Sequence, residues 1–300
     1  MDSITEKIRV LKERRGAVIL AHNYVCPEVQ DIADFVGDSL ELSIKARDAK
    51  AEVIVFCGVS FMAETAKLLS PDSTVLHPVR EAGCAMADMA KAEDIASWRK
   101  AHPGAVIVAY VNTTAAAKAQ VDICCTSANA EKVIRSIPEG KEIMFLPDRN
   151  LGRNVMNSTG RKMALWPGFC PVHDRIEKAA LEAARKAHPG ALLMVHPECA
   201  PEVAAAADTA LSTGGMLRFV AQSEAKEFIV GTESGIIHRL KKENPGKVFY
   251  PLLPLPTCAD MKKLRPEDIL ASLESGCGEV VLPQEIMERA RLPVDRMLAL

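Results

Sequence analysis

Short apolar runs recur along the chain, and amphipathic segments of about ten to fifteen residues separate them. The clearest runs are Ala17–Tyr24 (AVILAHNY), Ala105–Asn112 (AVIVAYVN) and Ala191–Glu198 (ALLMVHPE), and each ends in polar side chains. A continuous apolar run of this length is typical of a parallel strand that is covered on both faces. Strands that alternate with helices predict an α/β fold in which helices flank parallel sheets.

The same pattern is used three times. The runs start at residues 17, 105 and 191, so the pattern recurs after 88 and then 86 residues. Two further sets of residues keep nearly the same spacing: Ser39, Ser127 and Thr213, and Cys84, Cys170 and Cys258. Three features in one order at near-equal spacing predict one α/β unit repeated three times.

The predicted units define the domain organisation. The first covers residues 1–84 and is completed by the tail 262–300, the second covers 85–171, and the third covers 172–261. No Gly- or Ser-rich linker separates them, so we expect close packing around a pseudo-threefold axis, with the active site at the common interface.

Within the first unit the pattern predicts three strands. It also predicts several helices, one of which follows the first strand. The strands are Ala17–Ala21, Val53–Cys57 and Thr74–Leu76, and that helix covers Pro27–Val36. Each unit is therefore expected to contain a small parallel sheet sandwiched by helices.

Composition and charge exclude several classes of function. The net charge of −2 provides no basic surface for nucleic acid and no polybasic membrane anchor. The first sixteen residues (MDSITEKIRVLKERRG) are charged and amphipathic, unlike a signal peptide. No apolar run approaches the roughly 20 residues that a membrane-spanning helix needs. We therefore expect a cytoplasmic protein.

The nine cysteines need an explanation in that compartment. Cytosolic thiols disfavour disulfides, which leaves metal ligation, catalysis or simple burial. No CxxC pair is present, which argues against a zinc ribbon or a thioredoxin-type site.

The three repeated cysteines carry the strongest chemical signal. Any one of them could be a small buried apolar residue. Equivalent cysteines of three units around an axis would converge, however, and three thiolates can hold a [4Fe–4S] cluster whose fourth iron stays open. Fully ligated electron-transfer clusters normally have four cysteines. A missing fourth ligand therefore favours Lewis-acid chemistry on a substrate.

The other six cysteines carry weaker signals. Cys57 lies within an apolar run and is expected in the core, and ligation by Cys124 or Cys125 would break the symmetry. Cys26, Cys199 and Cys277 have no matching positions and receive no role.

Polar residues at the ends of the repeated strands form a second candidate set. Parallel α/β folds bind ligands outside the carboxyl ends of their strands. A single histidine there is often structural, but three matched copies favour a shared pocket. Glu198 is the most plausible general base, because enclosure can raise the pKa of a carboxylate into a useful range. The set comprises His22, Asn23, Tyr24, Tyr110, Asn112, His196 and Glu198.

The repeated hydroxyls Ser39, Ser127 and Thr213 lie at predicted helix starts. They could be ordinary N-caps, and helix N-termini also bind carboxylates and phosphates, so both interpretations stay open. His173 could lie near the cysteines or cap a turn. Lys262 is expected to be solvated.

The ordered motifs LAHNY, DIADFVGDS, YVNTT, CTSAN, PDRNLG, CPVH, HPEC, STGGM and GTESGIIHRLKK resemble the quinolinate synthase (NadA) family over essentially the whole chain. The resemblance implies three pseudo-symmetric α/β domains and a [4Fe–4S] cluster on Cys84, Cys170 and Cys258. It also implies condensation of iminoaspartate with dihydroxyacetone phosphate to quinolinate, phosphate and water in NAD biosynthesis. Contact with the enzyme that supplies iminoaspartate is a further expectation.

The resemblance also implies which residues contact substrate. The substrate-contacting positions are His22, Tyr24, Ser39, Tyr110, Asn112, Ser127, His196, Glu198 and Thr213. Catalysis is expected of Glu198, His22, Tyr24, Tyr110 and His196. Ala259, Asp260 and Met261 follow Cys258, so the CxxCxxC variant of some family members is not expected.

Two alternatives come from other classes. A non-enzymatic iron–sulfur sensor or electron carrier would explain the cysteines but not the matched polar positions. A zinc hydrolase that uses three thiolates would be favoured by a colourless, sulfide-free metal site.

Overall fold

Three four-stranded parallel sheets organise residues 3–300, the part of the chain that the computed structural model describes. The first sheet contains β1 (Ala17–His22), β2 (Phe35–Gly37), β3 (Val53–Cys57) and β4 (Thr74–Leu76). The second contains β5 (Val106–Tyr110), β6 (Ile123–Cys125), β7 (Ile143–Leu146) and β8 (Ala164–Leu165). The third contains β9 (Leu192–Val195), β10 (Thr209–Ala210), β11 (Glu227–Gly231) and β12 (Val248–Pro251).

The strand order is the same in every sheet. The orders are β2-β1-β3-β4, β6-β5-β7-β8 and β10-β9-β11-β12, and every named pair is parallel. The α/β class and the threefold use of one unit are thereby confirmed.

The helices follow the same repeat, with four to each sheet. The first four are α1 (Ile4–Arg14), α2 (Pro27–Ile32), α3 (Ser39–Asp48) and α4 (Ser60–Leu69). The second four are α5 (Ala92–Ala101), α6 (Ala115–Lys118), α7 (Ala130–Ser136) and α8 (Arg149–Thr159). The third four are α9 (Lys178–Ala187), α10 (Pro201–Ala206), α11 (Thr213–Gln222) and α12 (Ile236–Glu243), and the tail adds α13 (Pro266–Ser275) and α14 (Gln284–Leu298).

The predicted helix over Pro27–Val36 is too long. Helix α2 ends at Ile32, and β2 follows as a short edge strand. The equivalent edge strands β6 and β10 are also only three and two residues long. Segments this short show no alternation, so the pattern alone does not reveal them.

An aspartate lies directly before each edge strand, and it recurs at the same spacing as the motifs. Its carboxylate accepts a backbone N–H from the neighbouring strand, and a lysine or arginine pairs with it. The three aspartates are Asp34, Asp122 and Asp208, which accept from Ile19, Ile107 and Leu193 at 2.8, 2.8 and 2.7 Å. Their cationic partners are Lys12, Arg99 and Arg185. The repeat is therefore one of hydrogen bonding as well as of sequence.

The units pack directly against one another. One continuous hydrophobic core joins β1 of the first unit to Met194, Met216 and Phe228 of the third. In the tail, α13 packs on α1, whereas α14 packs on α6 and β6 of the second unit. No helix within residues 3–300 is long and apolar enough to span a bilayer.

Candidate active site

A cavity of about 690 Å³ lies between the three units. The repeated strands deliver residues to it from their carboxyl ends, because His22 ends β1, Tyr110 ends β5, and His196 directly follows β9. Of the residues that the sequence predicted for the site, Asn23 does not line the cavity, whereas the following do: His22, Tyr24, Ser39, Cys84, Tyr110, Asn112, Ser127, Cys170, His196, Glu198, Thr213 and Cys258. Parallel sheets place ligand sites at this end of their strands.

Cys84, Cys170 and Cys258 each lie half-buried in the cavity wall, and none forms a disulfide. Burial raises the pKa of the Cys84 thiol to about 12, and the neighbouring Glu198 and Cys258 add to the shift. Burial also raises the pKa of the Cys170 and Cys258 thiols. Thiols of this kind keep their protons unless a metal replaces them.

Two buried carboxylates hold the loops that carry these cysteines. Asp148 accepts the backbone N–H of Cys170 at 3.2 Å, and Glu233 accepts that of Cys258 at 3.2 Å. Glu233 also pairs with Lys262 at 2.9 Å, so Lys262 is not simply solvated as expected. The sequence analysis missed Asp148 and Glu233, although their spacing of 85 residues is close to the repeat.

Glu198 is the centre of the polar network in the cavity. Tyr110 donates its hydroxyl proton to Oε1 at 2.5 Å, and Nδ1 of His173 lies 2.7 Å from Oε2. Burial raises the pKa of Glu198, but His196, His173 and the hydrogen bonds outweigh it and hold the pKa well below its ordinary value. The expected upward shift of this pKa is therefore wrong.

The network continues from His173 to the first unit. Nε2 of His173 lies 2.8 Å from the Thr232 hydroxyl, which lies 2.5 Å from the Tyr24 hydroxyl. Nδ1 of His173 is also 3.3 Å from the sulfur of Cys170, which places this histidine beside the cysteine. Sequence reasoning gave no role to Thr232, although it lies directly after β11 and within the GTESGIIHRLKK motif. The chain joins Glu198 to Tyr24.

His22 and His196 occupy matching settings. Nδ1 of each accepts the backbone N–H two residues later, from Tyr24 at 3.2 Å and from Glu198 at 3.3 Å. Burial lowers the pKa of both imidazoles to about 3. Both rings are therefore neutral near pH 7.

The repeated hydroxyls are not N-caps. The side chains of Asp38 and Ser212 cap α3 and α11, so Ser39 and Thr213 are the first helical residues. Ser127 lies in the turn before α7. These hydroxyls are therefore not consumed in capping.

Asp38 joins two helix starts from different units. Its Oδ1 accepts from two backbone N–H groups of α3, and its Oδ2 accepts the N–H of Gly214 in α11 at 3.2 Å. A Cβ atom at Gly214 would lie 2.6 Å from Oδ2, so this approach requires glycine. The contact holds Ser39 close to Thr213 on the cavity wall.

The Asn112 side chain has an unused acceptor. Its Oδ1 is buried in the cavity wall, and within the described chain no hydrogen-bond donor reaches it. A buried carbonyl without a donor is costly, so a ligand that supplies an N–H or O–H group fits this position.

Possible metal ligands are also found in the wall. Cys170, His173 and Glu198 place ligand atoms within 4.8 Å of one another, close enough to hold one metal ion. No other group of three does so among residues 3–300, so the three repeated cysteines do not share a single ion in this arrangement. At a Zn–S distance of about 2.3 Å, the sulfurs of one tetrahedral zinc would lie about 3.8 Å from each other. This spacing argues against a three-thiolate zinc site.

Comparisons with known proteins agree along the full length. The family described as "Quinolinate synthetase A protein" matches residues 6–299. A protein of Methanoregula boonei named quinolinate synthase is 51% identical over 297 residues, which cover 99% of this chain and 98% of its own. Proteins of that name from Dehalococcoides mccartyi and Geotalea uraniireducens are 51% and 50% identical, over 98% and 100% of this chain and 97% and 98% of theirs.

Proposed function

The chain belongs to the quinolinate synthase family of enzymes, as its motifs predicted, and we propose that it condenses iminoaspartate with dihydroxyacetone phosphate. The products are quinolinate, phosphate and water, in a step of NAD biosynthesis. The observation that carries the proposal is the convergence of the three repeated cysteines and the expected substrate-contacting residues on one cavity between three units. A cytoplasmic location, the domain boundaries and contact with the enzyme that supplies iminoaspartate stay predictions.

Cys84, Cys170 and Cys258 are the proposed ligands of a [4Fe–4S] cluster. The donor set fits, because three unpaired thiols from the three units line the cavity and are too far apart for one shared ion. When bound, the cluster supplies an iron with an open position that can act as a Lewis acid on a substrate hydroxyl.

The hydroxyls and amides of the cavity wall bind the anionic groups. Ser39 and Thr213 open two helices, whose N-terminal dipoles favour carboxylate and phosphate, and Ser127 faces the same cavity. The free Oδ1 of Asn112 accepts from a donor on the substrate. These contacts allow a protein with little net charge to bind anionic substrates.

Glu198 is the proposed acceptor of protons that leave carbon. Its carboxylate is ionised near pH 7, and it is hydrogen-bonded to the Tyr110 hydroxyl and beside His173. The chain His173–Thr232–Tyr24 offers a route along which a proton moves between Glu198 and Tyr24 of the first unit. The neutral His22 and His196 rings are available as hydrogen-bond donors through Nε2.

Anaerobic purification followed by two assays tests this function. We expect about four irons and four sulfides per chain, and quinolinate from iminoaspartate and dihydroxyacetone phosphate. A colourless protein with one zinc would favour a hydrolase. A full cluster without quinolinate formation would favour the non-enzymatic sensor or electron carrier. That alternative assigns no role to the polar residues of the cavity.

A further inference from the structure

Lys118 is a buried cation in the wall of the second unit. It ends α6, and none of its surface is exposed. Its ammonium group donates to the carbonyl oxygen of Val111 at 2.7 Å and to that of Thr113. The nitrogen also lies 5.4 Å from the centre of the Phe61 ring. Both of these hydrogen bonds and the aromatic contact are therefore made within the protein interior.

The charge of Lys118 has no direct counter-ion. In the part of the chain that the structure describes, Lys118 forms no ion pair: burial lowers its pKa, and the Glu64 carboxylate, which opposes that shift, does not reach salt-bridge distance. Burial of an unpaired cation costs free energy, and two carbonyls and one aromatic ring offset only part of that cost. A methionine or leucine would fill a similar volume without this cost, so packing alone does not explain a lysine at this position.

The two carbonyls bracket Asn112. One belongs to the peptide bond that precedes Asn112, and the other to the bond that follows Thr113. Asn112 contributes the unpartnered, buried Oδ1 to the cavity. Lys118 therefore restrains the backbone on both sides of Asn112. A restrained backbone holds the Asn112 side chain in one position, which is how a supporting residue orients a binding group.

We propose that Lys118 is a positioning residue that fixes Asn112 for ligand binding. The proposal rests on the function proposed above, in which the free Oδ1 of Asn112 accepts from a donor on the substrate. Lys118 touches no ligand itself, and it acts only through the backbone that carries Asn112.

The chain offers a matched control. Lys247 also donates to two backbone carbonyls, those of Val220 and Ser223, and its nitrogen lies 5.5 Å from the centre of the Phe228 ring. None of these residues lines the cavity. Lys247→Met therefore removes the same kind of clamp without touching Asn112.

The experiment is a double-mutant cycle on the anaerobically purified, cluster-loaded protein, with dihydroxyacetone phosphate, whose hydroxyl can donate to Oδ1 of Asn112, as the probe in calorimetry. Lys118→Met should bind dihydroxyacetone phosphate about tenfold more weakly than the wild type, the loss expected for one misplaced hydrogen bond. Lys247→Met should bind within about twofold of the wild type. In an Asn112→Ala background, Lys118→Met should add less than about a twofold loss.

An equal loss with and without Asn112 would overturn the proposal, because Lys118 would then act through the fold or its charge. If Lys118→Met does not fold, Lys118→Gln retains one donor and should give a smaller loss that again vanishes without Asn112. Failure of both variants to fold would overturn the proposal and assign Lys118 to folding alone. A wild type that neither binds dihydroxyacetone phosphate nor forms quinolinate would instead reject the proposed function.

Discussion

At the scale of single residues, burial decides the protonation of the cavity. The imidazoles of His22 and His196 have a pKa of about 3, whereas the unfolded chain binds these protons near pH 6.5. Because the folded pKa is depressed, the stability is fully present above pH 6.5. It falls as the pH drops below that value, since only the unfolded state gains protons.

This difference predicts an acid-sensitive protein. Acidification from pH 6.5 to pH 5 should reduce the free energy of unfolding by roughly 1.5 kcal/mol for each of these histidines. The His22→Gln variant lacks one of them, so its thermal midpoint should fall less steeply over that range. Thermal unfolding at several pH values measures both slopes, and identical slopes would contradict the assigned neutrality of His22.

The carboxylate of Glu198 is the second residue whose chemistry depends on its neighbours. Glu198→Gln keeps the size of the side chain and an oxygen that accepts from Tyr110, but it removes the carboxylate that accepts a proton. Turnover should fall roughly 10²–10⁴-fold, the range for loss of a general base, while iron content stays at the wild-type level. Quinolinate formation and cluster absorbance in one sample provide the measurement.

The matched control is Glu177→Gln, an exposed carboxylate at the same cavity, which should leave turnover near the wild-type value. Near-normal turnover of Glu198→Gln would refute its role as proton acceptor. Loss of iron from that variant would instead assign Glu198 to metal binding with Cys170 and His173.

At the scale of elements, one carboxylate connects two helices that open on the cavity. Asp38 caps α3 and also accepts from Gly214 in α11, so Asp38→Ala should loosen both helix starts. We expect a loss of about 1–2 kcal/mol in stability, the usual range for one removed cap, together with weaker quinolinate binding. Asp48→Ala, at the exposed last turn of α3, should change neither. Normal binding by Asp38→Ala would limit Asp38 to a capping role.

The elements also show which features a sequence pattern reveals. Long apolar strands such as β1 and β5 were predicted because a two-sided buried strand needs a continuous apolar run. The edge strand β2 escaped detection because three residues carry no period, and its position depends on the bond between Asp34 and Ile19. Lys118 escaped too, since a lysine in a helix of sequence AAAK usually faces solvent.

At the scale of the whole molecule, repetition made the site predictable. Residues at equivalent places in three units around an axis lie close together. The spacing alone therefore predicted that Cys84, Cys170 and Cys258 line one cavity. Spacing does not report contacts between unlike residues. The link from Glu198 through His173 to Thr232 breaks the repeat, and so does the packing of α14 on the second unit.

The central claim is that one cysteine from each unit holds a single cluster. Iron and sulfide per chain after anaerobic reconstitution of single Cys→Ser variants test it most directly. Cys84→Ser, Cys170→Ser and Cys258→Ser should each lose the cluster, because each removes one of three thiolate ligands. Cys124→Ser in the core and Cys277→Ser on the surface should retain about four irons. A full complement of iron in Cys170→Ser would contradict the account.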